Sequence, residues 1–150
     1  MRRIMLVGGL VALSAPAFAL TINPTFVDNE VRTWSDVEKN VVWQAINDWT
    51  SKIADDVTIN VNISFTTGEM YGGQWQGSGY LGVDTLPWLN TSHSLFFNAD
   101  LLTPDSNGSY LWFDPTPLTS NDVPIMAWDA LSIARHEIGH MLGFTAGFYY

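Results

Sequence analysis

The chain has no cysteine among its 150 residues. That one absence removes disulfides, thiolate metal sites and cysteine nucleophiles together. Any transition metal must then be held by His, Asp, Glu, Tyr or water, and His numbers only 3. Basic side chains are scarce as well. Lys and Arg total 6 against 15 Asp and Glu, for a net charge of -9. A surface of that sign repels phosphate backbones and anionic lipid, so nucleic acid and charged membrane surfaces are not expected partners. Charged residues are only 14% of the chain and apolar ones 47%. Such a composition suits one ordinary folded domain rather than disorder. The sequence also lacks internal repeats, linkers and any apolar run of the roughly 20 residues needed to span a bilayer.

The N-terminus reads as an export signal. Met1-Arg2-Arg3 is a basic start, Ile4 to Leu13 a short apolar run, and Ala17-Phe18-Ala19 a small-x-small cleavage pattern. Residues 1–19 are therefore expected to be removed. Residues 20–150 would be the exported domain, secreted or at the cell surface, with no stable membrane insertion after cleavage. Loss of Arg2 and Arg3 makes that exported chain more acidic still.

An extended lead, Leu20 to Thr33, precedes Ser35-Asp36-Val37-Glu38, the pattern of a capping box. Val37, Val41, Ala45, Ile46, Trp49 and Ile53 then recur at helical spacing, which predicts an amphipathic helix over 36–53. After Asp55-Asp56 the period changes. Val57, Ile59, Val61, Ile63 and Phe65 alternate with Thr, Asn and Ser, which predicts a strand over 57–65 with one buried face. Thr66 to Ser92 mixes glycines with Tyr71, Trp75, Tyr80 and Trp88, as an aromatic, Gly-rich connection or a substrate-facing loop. Short strands are expected at Ser94–Asn98 and Tyr110–Phe113, with a turn at Asp105–Ser109 between them and a non-helical Asp114-Pro115-Thr116-Pro117 after. Asn62, Asn90 and Asn107 stand in glycosylation sequons, which matter only if the source glycosylates.

A second helix is predicted over 127–142, with Trp128, Leu131, Ala134, Ile138, Met141 and Leu142 at helical spacing. It contains His136-Glu137-Ile138-Gly139-His140, an HExxH motif. On a helix the i and i+4 side chains share one face, so both imidazoles can reach one zinc ion. Glu137 cannot share the metal with them. It stands beside it, where a carboxylate can take a proton from the attacking water and pass it to the leaving amine. Only neutral imidazole ligates, so such a site loses metal on acidification. Gly139 removes a side chain where the helix could approach another element. Gly143 falls where the helix must stop, in a position suited to a left-handed cap. Asp129, seven residues before His136, is either a hydrogen-bond partner for an imidazole or a first-turn carboxylate favoured by the helix dipole.

The run from His136 to Phe144 resembles the active-site helix of metzincin-type zinc peptidases, whose motif is HExxHxxGxxH. The segments Trp112-Phe113-Asp114-Pro115, Trp128-Asp129-Ala130-Leu131 and Phe144-Thr145 resemble exported bacterial metallopeptidases found with PEP-CTERM surface-sorting systems. The specific likeness covers about the last quarter of the chain. The resemblance implies an α+β, zincin-like fold, a mixed twisted sheet with a packed helix and an active-site helix. It implies His136 and His140 as zinc ligands, Glu137 as general acid/base, Gly143 as the turn, and a protein or peptide as substrate. The third ligand does not carry over, because the position six residues after His140 is Ala146. Nor is there room before Tyr150 for the methionine turn of that group. The expectation is a chain cut short before its third ligand. His93, in a polar Asn-Thr-Ser-His-Ser turn, and Tyr149 are the in-chain alternatives. The functional expectation is a zinc-dependent endopeptidase. The competing expectation is an inactive secreted surface-binding protein with a vestigial metal motif, gripping glycan or protein through the aromatic Gly-rich segment.

Overall fold

Alternation along one segment organises the sheet. In the computed structural model, which describes residues 19–68, 73–75, 92–118 and 122–144, strand β2 spans Thr58–Thr66. Its Ile59, Val61, Ile63 and Phe65 are buried, while Thr58, Asn60 and Asn62 face solvent. Strand β1 (Thr21–Val27) runs parallel to β2, with Ile22 opposite Ile59 and Phe26 opposite Ile63. Parallel neighbours need a crossover, and helix α1 (Asp36–Thr50) supplies it. Strand β4 (Ser92–Asn98) pairs parallel on the other side of β2, and β3 (Gly73–Trp75) closes the edge antiparallel to β4. The order is β1-β2-β4-β3, a mixed sheet. Its outer face is Asn- and Thr-rich, with Asn23 Nδ2 donating to Asn60 Oδ1 at 3.2 Å. That polar face needs no cover, which is why the strand reads as alternating rather than uniformly apolar.

The capping box forms as expected. Ser35 accepts from the Glu38 N–H while Glu38 reaches back to the Ser35 N–H at 2.7 Å. This turns Glu38 inward and Val37 outward. Val37 is consequently 43% exposed, contrary to its expected place in the stripe, and Val42 is buried instead. The helix stops at Thr50, so Ile53 packs against the core from beyond it. The inner faces of α1 and the sheet share one core with helix α2 (Ala130–Met141), to which α2 contributes Leu131, Ala134, Ile138 and Met141. Each fully buried Ile, Leu or Phe there contributes about 1.5–3 kcal/mol relative to exposure. Trp34 caps one end of the core, its ring 4.2 Å from that of Phe65 and 5.8 Å from that of Phe97.

Two boundaries differ from expectation. β5 (Tyr110–Trp112) and β6 (Ala127–Asp129) form a separate parallel pair, so residues 127–129, expected as helix, are strand. The helix starts at Ala130 because Asp129 caps it, its carboxylate accepting from the Leu131 and Ser132 N–H groups at 3.1 and 3.2 Å. Trp128 lies in β6 and not on the helix stripe. β4 begins two residues before the expected start and takes in His93. The described residues are thus α+β, with α1 and α2 beside a mixed sheet. Among the described residues no helix is long and apolar enough to cross a membrane. Residues 1–18 of the leader, most of the Gly-rich segment, Asn90, Ala146 and Tyr149 lie outside the described residues.

Candidate metal centre

Helix α2 carries His136 and His140 one turn apart, and their Nε2 atoms converge to 2.8 Å. The rings stand nearly perpendicular, at 85°, with centroids 4.4 Å apart. His140 Nδ1 lies 2.9 Å from the carbonyl oxygen of Phe144. A carbonyl can only accept, so the neutral His140 ring carries its proton on Nδ1 and presents a lone pair at Nε2. The proton between the two imidazoles then belongs to His136 Nε2. A cation that displaces that proton meets two lone pairs directed at one point.

The donor set suits zinc. Two imidazole nitrogens at about 2.0–2.1 Å from a tetrahedral ion lie roughly 3.3 Å apart, so the pair has to open by about half an ångström. His136 is exposed and His140 half-buried, which leaves the His136 ring space to make that adjustment. Glu137, the next residue along the helix, is 8% exposed. Ala134 and Met141, one turn before and after, are fully buried around it. Among the described residues, no group of three or more His, Asp or Glu gathers into a metal site.

The turn after α2 explains how His140 is held. Gly143 has φ 90°, a left-handed conformation that costs a residue with a Cβ about 1–2 kcal/mol. It allows a Schellman closure, with Phe144 N–H donating to Gly139 O at 2.9 Å and Gly143 N–H to His140 O at 3.0 Å. That closure brings the Phe144 carbonyl to His140. The Phe144 ring stacks on Trp49 of α1, centroids 5.2 Å apart, and Trp49 Nε1 donates to the Arg135 carbonyl at 2.9 Å. Trp49 lies on Gly139, where an added Cβ would come within 3.1 Å of its Cζ2. Arg135 completes the clamp through its Nε, 2.7 Å from Asp48 Oδ2. The close approach expected at Gly139 and the cap expected at Gly143 are thus both present.

Other expectations resolve differently. Asp129 is no partner of an imidazole, because its carboxylate is engaged by the first turn of its own helix, including Ser132 Oγ at 2.6 Å. His93 is not in a solvated turn. It is 3% exposed in β4, opposite Val61 and alternating inward with Leu95 and Phe97. It does not join the His136–His140 pair into a three-ligand site. The Phe144 carbonyl was not anticipated, since every residue carries a carbonyl. The signal available was the Gly143–Phe144 pair after the motif, which is the sequence form of a Schellman turn. Compared with family models, curated proteins and solved structures, the chain finds no match in any of the three.

Proposed function

We propose that this chain is the zinc-binding part of an exported, metzincin-like endopeptidase, acting on protein or peptide substrates. The observation that carries the reading is the convergence of the His136 and His140 Nε2 atoms at 2.8 Å, with His140 fixed in the ligating tautomer by the Phe144 carbonyl. Two exposed helix histidines of no function need no such tautomer lock. Zinc, when bound there, would polarise the scissile carbonyl and acidify a water. The work of the protein falls to its own groups. His136 and His140 hold the ion on one helix face. Glu137, sheltered from bulk water at 8% exposure, accepts the water's proton on its carboxylate and returns it to the departing amine nitrogen. Retention of a carboxylate between the two imidazoles favours catalysis over a purely structural ion, which needs only ligands.

Two imidazoles leave a tetrahedral site half open, and on this reading residues other than the described ones complete it. The test is peptide hydrolysis by a form that retains zinc. Chelator-sensitive turnover lost in His136→Ala supports the reading. Zinc retention with no hydrolysis of any peptide favours the surface-binding alternative.

A further inference from the structure

We propose that the outer face of α1 and the run from Pro115 to Leu118 form a binding groove for a neutral sugar chain. Asn40, Trp43, Gln44 and Asn47 recur at helical spacing on the side of α1 away from its buried Val41, Val42, Ala45 and Ile46. Pro115, Pro117 and Leu118 lie across from that stripe, and the groove between has a volume of about 490 Å³. Clefts that take small molecules span about 300–1,000 Å³. None of its lining residues belongs to the candidate metal centre.

Trp43 is exposed, and its ring leans on Phe26 with centroids 6.4 Å apart, so the indole is steadied without being covered. The C–H face of a hexopyranose is flat and apolar, and laying it on an indole removes both from water. Among the described residues, the amides of Asn40 and Asn47 and the Trp43 Nε1–H have no hydrogen-bond partner. Gln44 gives its Nε2 to Asp48 Oδ1 at 2.9 Å, which fixes that amide and leaves Oε1 to accept. Each amide offers a donor and an acceptor side by side, the pairing that adjacent hydroxyls require. Charge narrows the ligand further. The chain carries a net charge of -9, yet among the described residues no ionisable side chain lines this groove. Asp48 beside it is held by Arg135 Nε at 2.7 Å, and Lys39 Nζ lies over the Phe26 ring, 6.0 Å from its centroid. An ionic ligand finds no counter-charge here, and a sugar hydroxyl needs none. The far wall is set in advance. Proline fixes φ at 115 and 117, and Thr116 between them donates its N–H and hydroxyl to the buried Asp114 Oδ1 at 2.6 and 3.0 Å. A preformed wall reduces the ordering that binding would otherwise cost.

The test is calorimetric titration of the native chain with three neutral hexasaccharides: cellohexaose, maltohexaose and chitohexaose. At least one should bind. Trp43→Ala should weaken that binding by roughly tenfold or more, and Trp43→Tyr, which keeps a ring, should recover most of it. Asn40→Ala/Asn47→Ala guards against a folding defect in Trp43→Ala. Both asparagines are exposed, so the fold stands, and binding should fall about threefold or more. Binding of none of the three sugars, or binding unchanged in both the Trp43→Ala and the Asn variants, overturns the proposal. So does loss of binding in His136→Ala/His140→Ala, which would put the sugar at the metal centre. A neutral proline-rich peptide bound where no sugar binds overturns it too. The groove uses no zinc, so failure of the endopeptidase reading leaves this comparison intact.

Discussion

Helices α1 and α2 each bury one glutamate, at different places along the helix. Glu38 of α1 is 4% exposed and faces donors on both oxygens. Oε1 accepts from Arg32 Nη2 at 2.6 Å, and Oε2 from the Ser35 N–H and Oγ, each at 2.7 Å. It begins a helix and anchors the approach to it. Glu137 of α2 is 8% exposed but lies in mid-helix, where no orphan N–H groups need a cap. It stands between the two imidazoles in sequence, next to His136 and three residues before His140. Burial alone therefore does not mark a functional carboxylate, and position relative to backbone donors separates the two.

That contrast can be broken by substitution. The largest effect is expected from Glu137→Gln, which keeps shape and removes the base. In a form that hydrolyses peptide, turnover should fall by roughly 10²–10⁴-fold, with zinc content and melting point nearly unchanged. Full activity would mean that another group takes the proton. Glu38→Gln should do the reverse. One amide –NH₂ must face either Arg32 or the Ser35 donors, so stability should drop by about 1–3 kcal/mol in urea melts, with no change in zinc content. A variant as stable as the parent would show that the cap network is dispensable.

Two smaller changes sharpen the role of the turn. Gly143→Ala places a Cβ at φ 90° and should cost about 1–2 kcal/mol. Because the Phe144 carbonyl then loses its position, zinc affinity should weaken as well, which dialysis would detect. Gly139→Ala should have the smallest net effect on stability, within about 1 kcal/mol. The helix gains up to about 1 kcal/mol from alanine, while Trp49, 3.1 Å away and pinned by its bond to Arg135, must shift. A melting point raised by the full propensity gain would show that Trp49 moves freely.

How much could be read from residue order follows from the range of the interactions. The capping box and the β2 alternation depend on neighbours a few residues apart, and both appear where their patterns stand. So do the glycine positions of α2. β5 stands where a short strand is expected, but β6 escaped because three residues carry no period, and Tyr110 meets Ala127 only through the fold. His93 was misplaced for the same reason, since polar neighbours suggested a turn while its partner Val61 lies on another strand. Of the candidate site, the imidazoles and carboxylate are named by type and spacing. The carbonyl that orients His140 is not, because a backbone oxygen leaves no mark in the sequence.

The central claim is that His136 and His140 form a metal centre, and zinc binding at equilibrium tests it most directly. Equilibrium dialysis of the native chain against His136→Ala/His140→Ala should show one zinc ion bound by the former, weakly, and lost by the latter. Two imidazoles alone account for both the stoichiometry and the weakness. Equal zinc uptake by the two proteins would contradict the account.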